Sequence, residues 1–310
     1  YNNPNVFILG VTMKKLSLLA VAVFLLFSTT AFAGTKEGLE LELKQLAVSV
    51  TSTEVHNSSP TFSSARVNGD SQTAIQGKLD FDARYFLPKF LWTTNLFMEY
   101  GKTNVRPVNK EEITTENSDK ISLTTDLTYR LWKVDEDFIG GFEAGPFVNV
   151  GYETEFDAPE IEIEEGVKER GNRKQVLRGK AGFKLFEGKY LKELYAAYVF
   201  ERDFTYTPES TNTAFEAGFR AEAEVREGVK FVAWSYYRDY QTYSEEKISD
   251  LDYEVEAELR LDVKLWNNLA VAPFVNYYCA SAQHFNCVAD NWYTGIQISY
   301  STFFKKAEEI

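Results

Sequence analysis

Apolar and polar side chains alternate along this chain with a period of two. From 251 to 263, Leu251, Tyr253, Val255, Ala257, Leu259, Leu261 and Val263 interleave with Asp252, Glu254, Glu256, Glu258, Arg260 and Asp262. The stretch 119–132 does the same: Ile121, Leu123, Leu127, Tyr129 and Leu131 alternate with Ser122, Thr124, Asp126, Thr128 and Arg130. Residues 212–227 repeat it, with Phe215, Ala217, Phe219 and Ala221 set against Glu216, Gly218, Arg220 and Glu222. On a helix, residues two apart would scatter around the whole cylinder; on a strand they share one face. The pattern therefore predicts β-strands with one apolar and one polar side.

Applied along the chain, the same rule predicts twelve strands, near 38–51, 72–86, 91–104, 119–132, 138–152, 173–186, 192–206, 212–227, 229–243, 251–263, 269–278 and 291–304. The boundaries allow a range of 10–14 strands. Their length decides the class. Soluble strands average ~5–6 residues, a tilted membrane-crossing strand takes ~9–11, and these run to about 10–16. Short connectors (87–90, 133–137, 187–191, 227–228, 264–268) alternate with others that are mostly longer. The expected fold is all-β: a single transmembrane antiparallel β-barrel of about twelve strands, with short periplasmic turns and longer external loops. An even strand count leaves both chain ends on the periplasmic side.

The start of the chain fits that destination. Met13, Lys14 and Lys15 precede an apolar run from Leu16 to Phe27, and Ala31-Phe32-Ala33 forms a small-x-small cleavage site. The run is too short for a spanning helix of ~20 residues. Residues 13–33 read as a signal peptide and 1–12 as an upstream extension without a role. The barrel is expected over 34–304 and a short periplasmic tail over 305–310. Removing residues 1–33 takes away Lys14 and Lys15 and shifts the net charge from −13 to −15.

Composition then narrows the function. The acidic balance argues against a nucleic-acid partner, because phosphate binding needs a basic surface. The chain holds 24 Phe, 18 Tyr and 5 Trp, which suits a lipid-facing wall with aromatic girdles. Expected girdle residues include Tyr85, Trp92, Tyr100, Tyr129, Tyr152, Tyr240, Tyr253, Trp292 and Tyr300. Two histidines and two cysteines leave little material for a metal centre, and no cofactor motif is present.

Signal, strand lengths, connector alternation and an aromatic last strand (Trp292, Thr294, Ile296, Ile298, Tyr300, Thr302, Phe304) together resemble Gram-negative outer-membrane β-barrels. The resemblance spans the whole region after the signal. It implies residence in the cell outer membrane, contact with its lipid and lipopolysaccharide, and insertion by the barrel assembly machinery. The charged tail Lys305-Lys306-Ala307-Glu308-Glu309-Ile310 departs from that pattern, which usually stops at the terminal aromatic. A twelve-strand count is similar to small-solute channels and to an outer-membrane phospholipase.

The polar face should line the interior, where carboxylates outnumber cations. A basic wall of Lys174, Arg178, Lys180 and Lys184 is expected on the sixth strand. An acidic wall of Glu254, Glu256 and Glu258 is expected on the tenth, about a third of the circumference away. Such a lining suits passive diffusion of small polar solutes with a mild cation preference. The alternative is that the charges zip together and close the barrel, leaving a structural or surface-binding protein. A lipid hydrolase is a weaker third reading, resting on His56-Asn57-Ser58. The protein is accordingly read as a non-enzyme. Cys279 and Cys287 sit in the last external connector; in an oxidising compartment the expectation is a disulfide closing its tip. The acidic run 153–170 reads as a solvated external loop.

Overall fold

The computed structural model describes residues 36–57, 73–105, 113–134, 141–158, 160–164, 167–244, 250–282 and 288–309. The expected signal peptide and upstream extension lie outside the described residues. Twelve long strands form the wall. They are β1 (Lys36–His56), β2 (Thr73–Phe86), β3 (Phe90–Val105), β4 (Ile113–Tyr129), β5 (Phe142–Thr154), β6 (Gln175–Phe186), β7 (Leu191–Asp203), β8 (Ser210–Arg226), β9 (Val229–Tyr243), β10 (Leu251–Trp266), β11 (Leu269–Ala282) and β12 (Val288–Lys305). Each pairs antiparallel with the next, and β12 pairs antiparallel with β1, so the sheet closes on itself. Closure removes the free edges that an open sheet would expose to other chains.

The alternation read from sequence becomes an outside and an inside. Where β1 meets β12, Val48 faces Ile298 and Val50 faces Ile296, while the intervening Ser49 faces Gln297 and Thr51 faces Gly295. Val50 is 56% exposed and Ile296 59%, whereas Thr51 is 1% exposed and Gln297 3%. The same inversion runs around the wall, with Ile75, Leu123, Val148, Leu177, Phe200, Phe215 and Leu259 turned outward. Soluble monomers rarely show a contiguous apolar patch above ~300–600 Å². Here the apolar surface encircles the molecule, and the charged side chains are the enclosed ones. The protein is a membrane-spanning β-barrel of the outer-membrane type.

Trp92 donates its indole N–H to Thr125 Oγ1 at 2.7 Å on the neighbouring strand. Phe90 with Tyr129, and Tyr277 with Trp292, form outward ring pairs at centroid distances of 5.2 and 4.6 Å.

The described turns at one end are short: 87–89, 187–190, 227–228 and 267–268. At this end a short strand, Trp132–Val134, pairs with β5. Gly145 of β5 is needed there, since a Cβ would run into the Tyr129 carbonyl oxygen as the wall bends. At the other end, the acidic connector after β5 forms a separate two-stranded hairpin, Glu160–Glu164 with Val167–Arg170. Its base is tied down by Asp119, whose carboxylate accepts the Phe156 and Asp157 N–H groups at 2.7 and 3.0 Å.

Two expectations need correction. β11 continues to Ala282, so Cys279 is not in a loop. It lies opposite Val255 on one side and Asp290 on the other, on the same outward face as Tyr253 and Tyr277. Cys279 is a free, buried thiol, so the expected disulfide is not formed; Cys287 lies outside the described residues. The second concerns β9, where Tyr240 was expected in an outward girdle. Arg238, missed by the sequence reading, points inward, while Asp239 sits beside outward Phe215. Tyr240 shares the inward face with Arg238 and is not part of a girdle.

Candidate functional site

The interior is built from the inward residues of all twelve strands. Burying a lone ion costs several kcal/mol, so the lining must be paired or wet. It is extensively paired, and the pairs run from strand to strand.

Arg178, Lys180 and Lys184 alternate on β6, and Lys174 immediately precedes that strand. Lys174 contacts Glu153 at 2.7 Å, and this carboxylate raises the lysine pKa above its ordinary value. Arg178 binds Glu201 through Nε and Nη2 at 2.7 and 2.6 Å. Lys180 pairs with Glu216, which also accepts the Tyr195 hydroxyl at 2.6 Å. Lys184 reaches Asp126 at 2.8 Å and Glu193 at 3.4 Å.

Three carboxylates alternate on β10. Glu254, Glu256 and Glu258 are 8%, 6% and 3% exposed. Glu254 accepts from Arg238 at 2.5 Å and from the Tyr278 hydroxyl at 2.9 Å. Glu256 accepts from the Asn276 amide at 3.1 Å. Glu258 lies 3.2 Å from Arg260 and 3.7 Å from Lys78.

The two walls do not stand apart. Arg238 gives Nε to Glu216 at 2.7 Å and Nη1 to Glu254 at 2.5 Å. A continuous chain therefore runs Lys180–Glu216–Arg238–Glu254–Tyr278, from β6 to β11. The sequence offered one signal for Arg238: a strict period of two puts it with Trp234 and Tyr236. That signal was masked because β9 also carries Phe231 and Tyr237 on its other face.

Some pairs bridge the lumen instead of following the wall. Lys78 on β2 and Glu258 on β10 are four strands apart around the ring. Glu187, in the turn after β6, receives Arg84 of β2 at 2.9 Å and Lys36 of β1 at 3.1 Å. Burial works to raise the Glu187 pKa, but these two cations outweigh it and hold the carboxyl below its usual range.

The seam between the first and last strands is different. Gln45, Ser49, Thr51 and Thr53 of β1 and Asn291, Tyr293, Gln297 and Ser299 of β12 are inward, buried and uncharged. Arg260 reaches this sector through a 3.3 Å hydrogen bond to Gln45 Oε1.

His56 pairs with Asp290 across the β1–β12 seam, Nδ1 to Oδ2 at 3.2 Å, and its Nε2 lies 3.5 Å from Glu54. The strand register makes this pair from residues far apart in sequence. It is half-exposed at the rim; Ser58 and His284 lie outside the described residues. Among the described residues no group of three or more His, Cys, Asp or Glu side chains could hold a metal ion.

A family model for a protein of unknown function, DUF3078, matches residues 60–141. No curated protein matches the chain. Among solved structures, the chain is similar to the translocator domain of the autotransporter NalP from Neisseria meningitidis. The identity is 11% and the TM-score 0.38, over 96% of this chain and 97% of that one. It is also similar to the COG4313 outer membrane channel from Pseudomonas putida F1, at 11% identity and TM-score 0.47, over 89% and 99% of the two chains. The outer membrane channel DcaP of Acinetobacter baumannii shares 8% identity at TM-score 0.42, over 87% and 100%. At these identities and scores the likenesses are distant.

Proposed function

We propose that this protein is an outer-membrane channel for passive diffusion of small polar solutes, with a mild preference for cations. The observation that carries the reading is the inversion of the fold: a closed wall, apolar outside, enclosing a continuous polar and charged interior. The short turns would face the periplasm and the acidic hairpin the exterior, as in other outer-membrane barrels. Insertion would depend on the barrel assembly machinery, and lipopolysaccharide would contact the outer part of the wall.

No covalent chemistry is involved. Solutes would exchange hydration for contacts with the charged chain on one side and the amides and hydroxyls of the seam on the other. Glu254, Glu256 and Glu258, three carboxylates on one strand, would bias the lumen towards cations, while Lys174, Arg178, Lys180 and Lys184 would orient dipolar solutes against them. The test is planar-bilayer recording on detergent-folded protein. Discrete conductance with cation selectivity is expected. Glu254→Gln, Glu256→Gln and Glu258→Gln together should move the reversal potential towards zero. An inserted, folded barrel silent at every voltage and pH, both intact and with residues 306–310 removed, would refute the reading. The lumen-bridging pairs favour a second reading, in which the barrel stays shut and acts as a scaffold or surface-binding protein.

A further inference from the structure

The short-turn mouth of the barrel carries an apolar layer. Phe86, Leu91 and Phe186 point inward there, and they are 0%, 3% and 3% exposed. Phe86 and Leu91 are partners on β2 and β3, whereas Phe186 ends β6, three strands beyond β3. The three form one apolar cluster. Side chains from separated parts of the ring therefore meet across the opening. Further along the inner faces of β2 and β6 stand Lys78, Asp80, Asp82, Arg84, Lys180 and Lys184, so at this mouth an apolar layer caps a charged stretch of the lining.

A second element lies against the cluster. Beyond β12 the tail turns back, and Glu308–Glu309 pair as a short strand with Lys36–Glu37 at the head of β1. Ala307 between them packs on the apolar cluster. Gly38, at φ +97°, provides the bend that turns the head of β1 out of line with the wall. Side chains with other carbons at this φ are strained, while glycine is not.

A third set of contacts fastens the head in place. Arg130 follows β4 and is 2% exposed. It grips Glu143 through Nε and Nη2, both at 2.6 Å. Its Nη1 then donates to the carbonyl oxygens of Lys36 at 3.0 Å and Leu87 at 2.9 Å. Lys36 reaches over to Glu187. The cations of Lys36, Arg84 and Arg130 lie 5.3, 5.9 and 5.7 Å from the Phe86 ring centre. Such cation–aromatic contacts strengthen when shielded from water.

We propose that residues 36–38 and 306–309 form a two-stranded strap that, with the Phe86–Leu91–Phe186 layer beneath it, closes the short-turn mouth of the barrel. Solute passage requires this strap to be displaced. The inference rests on the channel reading for its purpose, but the closure itself has an independent readout. The charged tail that sets this last strand apart from other outer-membrane barrels is then the closing element.

The experiment uses the full chain refolded in detergent, with Cys279→Ser and Cys287→Ser as background and Thr93→Cys as reporter. Thr93 lies opposite Arg84 and Asp126 on the inner face, two residues from Leu91 along β3. Three proteins are compared: the intact chain, a deletion of 306–310, and Phe86→Ala/Phe186→Ala with both ends intact. Heat-modifiable mobility verifies the folding of each. The rate of reaction with a bulky, charged thiol reagent and the conductance in planar bilayers are then measured. Closure predicts several-fold faster labelling in both altered proteins than in the intact chain. If conductance rises as well, strap and channel are both supported. Faster labelling without conductance supports the strap and refutes the channel. Folded variants that label at the intact rate overturn the strap, whatever they conduct.

Discussion

The charged arc from β6 to β10 and the neutral seam of β12 with β1 line the same barrel, yet they are held by different means. In the arc, Glu216 is 2% exposed and accepts from Lys180, Tyr195 and Arg238 at once. In the seam, Thr51 is equally enclosed but makes one 3.4 Å bond, to the Ala74 carbonyl. An ion removed from water must be matched by an opposite ion; a hydroxyl or amide needs only one good partner. The arc is therefore interdependent, one residue supporting several, and the seam is modular.

The largest test of that contrast is Arg238→Met. It strands Glu216 and Glu254 without their shared cation, and removing one partner of a buried pair costs about 3–5 kcal/mol. The urea midpoint of the detergent-folded barrel should fall accordingly. A loss no greater than that of a seam substitution would erase the distinction. The next is a paired change, Lys180→Met with Glu216→Gln, which removes both charges of one link. Replacing both partners is often close to neutral, but Arg238 then loses one of its two carboxylates. The double variant should therefore fall between the wild type and Arg238→Met; a larger loss than Arg238→Met would move the centre of the arc from Arg238 to Lys180.

Acid titration probes a lumen-bridging pair at the edge of the arc. Glu187 has a folded pKa held below the ordinary 4.5 by Arg84 and Lys36, against the effect of burial. Its contribution is complete above the unfolded value and disappears as pH falls through the folded one. Glu187→Gln should lower stability at neutral pH and flatten the decline below about pH 4.5. An unchanged acid limb, measured by unfolding at a series of pH values, would show that the bridge adds nothing. The smallest effect is expected in the seam. Thr51→Val keeps the shape and removes one hydrogen bond, at a cost of about 1 kcal/mol or less. A loss comparable to Arg238→Met would show the seam to be as interdependent as the arc.

Much of this molecule is written in its local pattern. Twelve strands and most of their inner and outer faces follow from counting side chains in twos. The pattern fails where both faces look alike. On β9, Phe231 and Tyr237 on one side and Trp234, Tyr236 and Tyr240 on the other give no contrast, so the pattern puts Tyr240 on the wrong face and does not single out Arg238. It also fails at strand ends. Tyr277, Tyr278 and Cys279 do not announce that β11 runs to Ala282, and the disulfide expectation fell with that boundary.

The sequence alone determined that this chain would be a wall with a lipid side and a polar side, because alternation is a property of neighbouring residues and needs no partner. Which ions meet, and whether the mouth is shut, was decided by the closed tertiary structure. Phe86, Phe186 and Ala307, or His56 and Asp290, are brought together only by strand order, register and ring closure. Those are set by the packing and hydrogen bonding of the whole barrel, and no local stretch of sequence contains them.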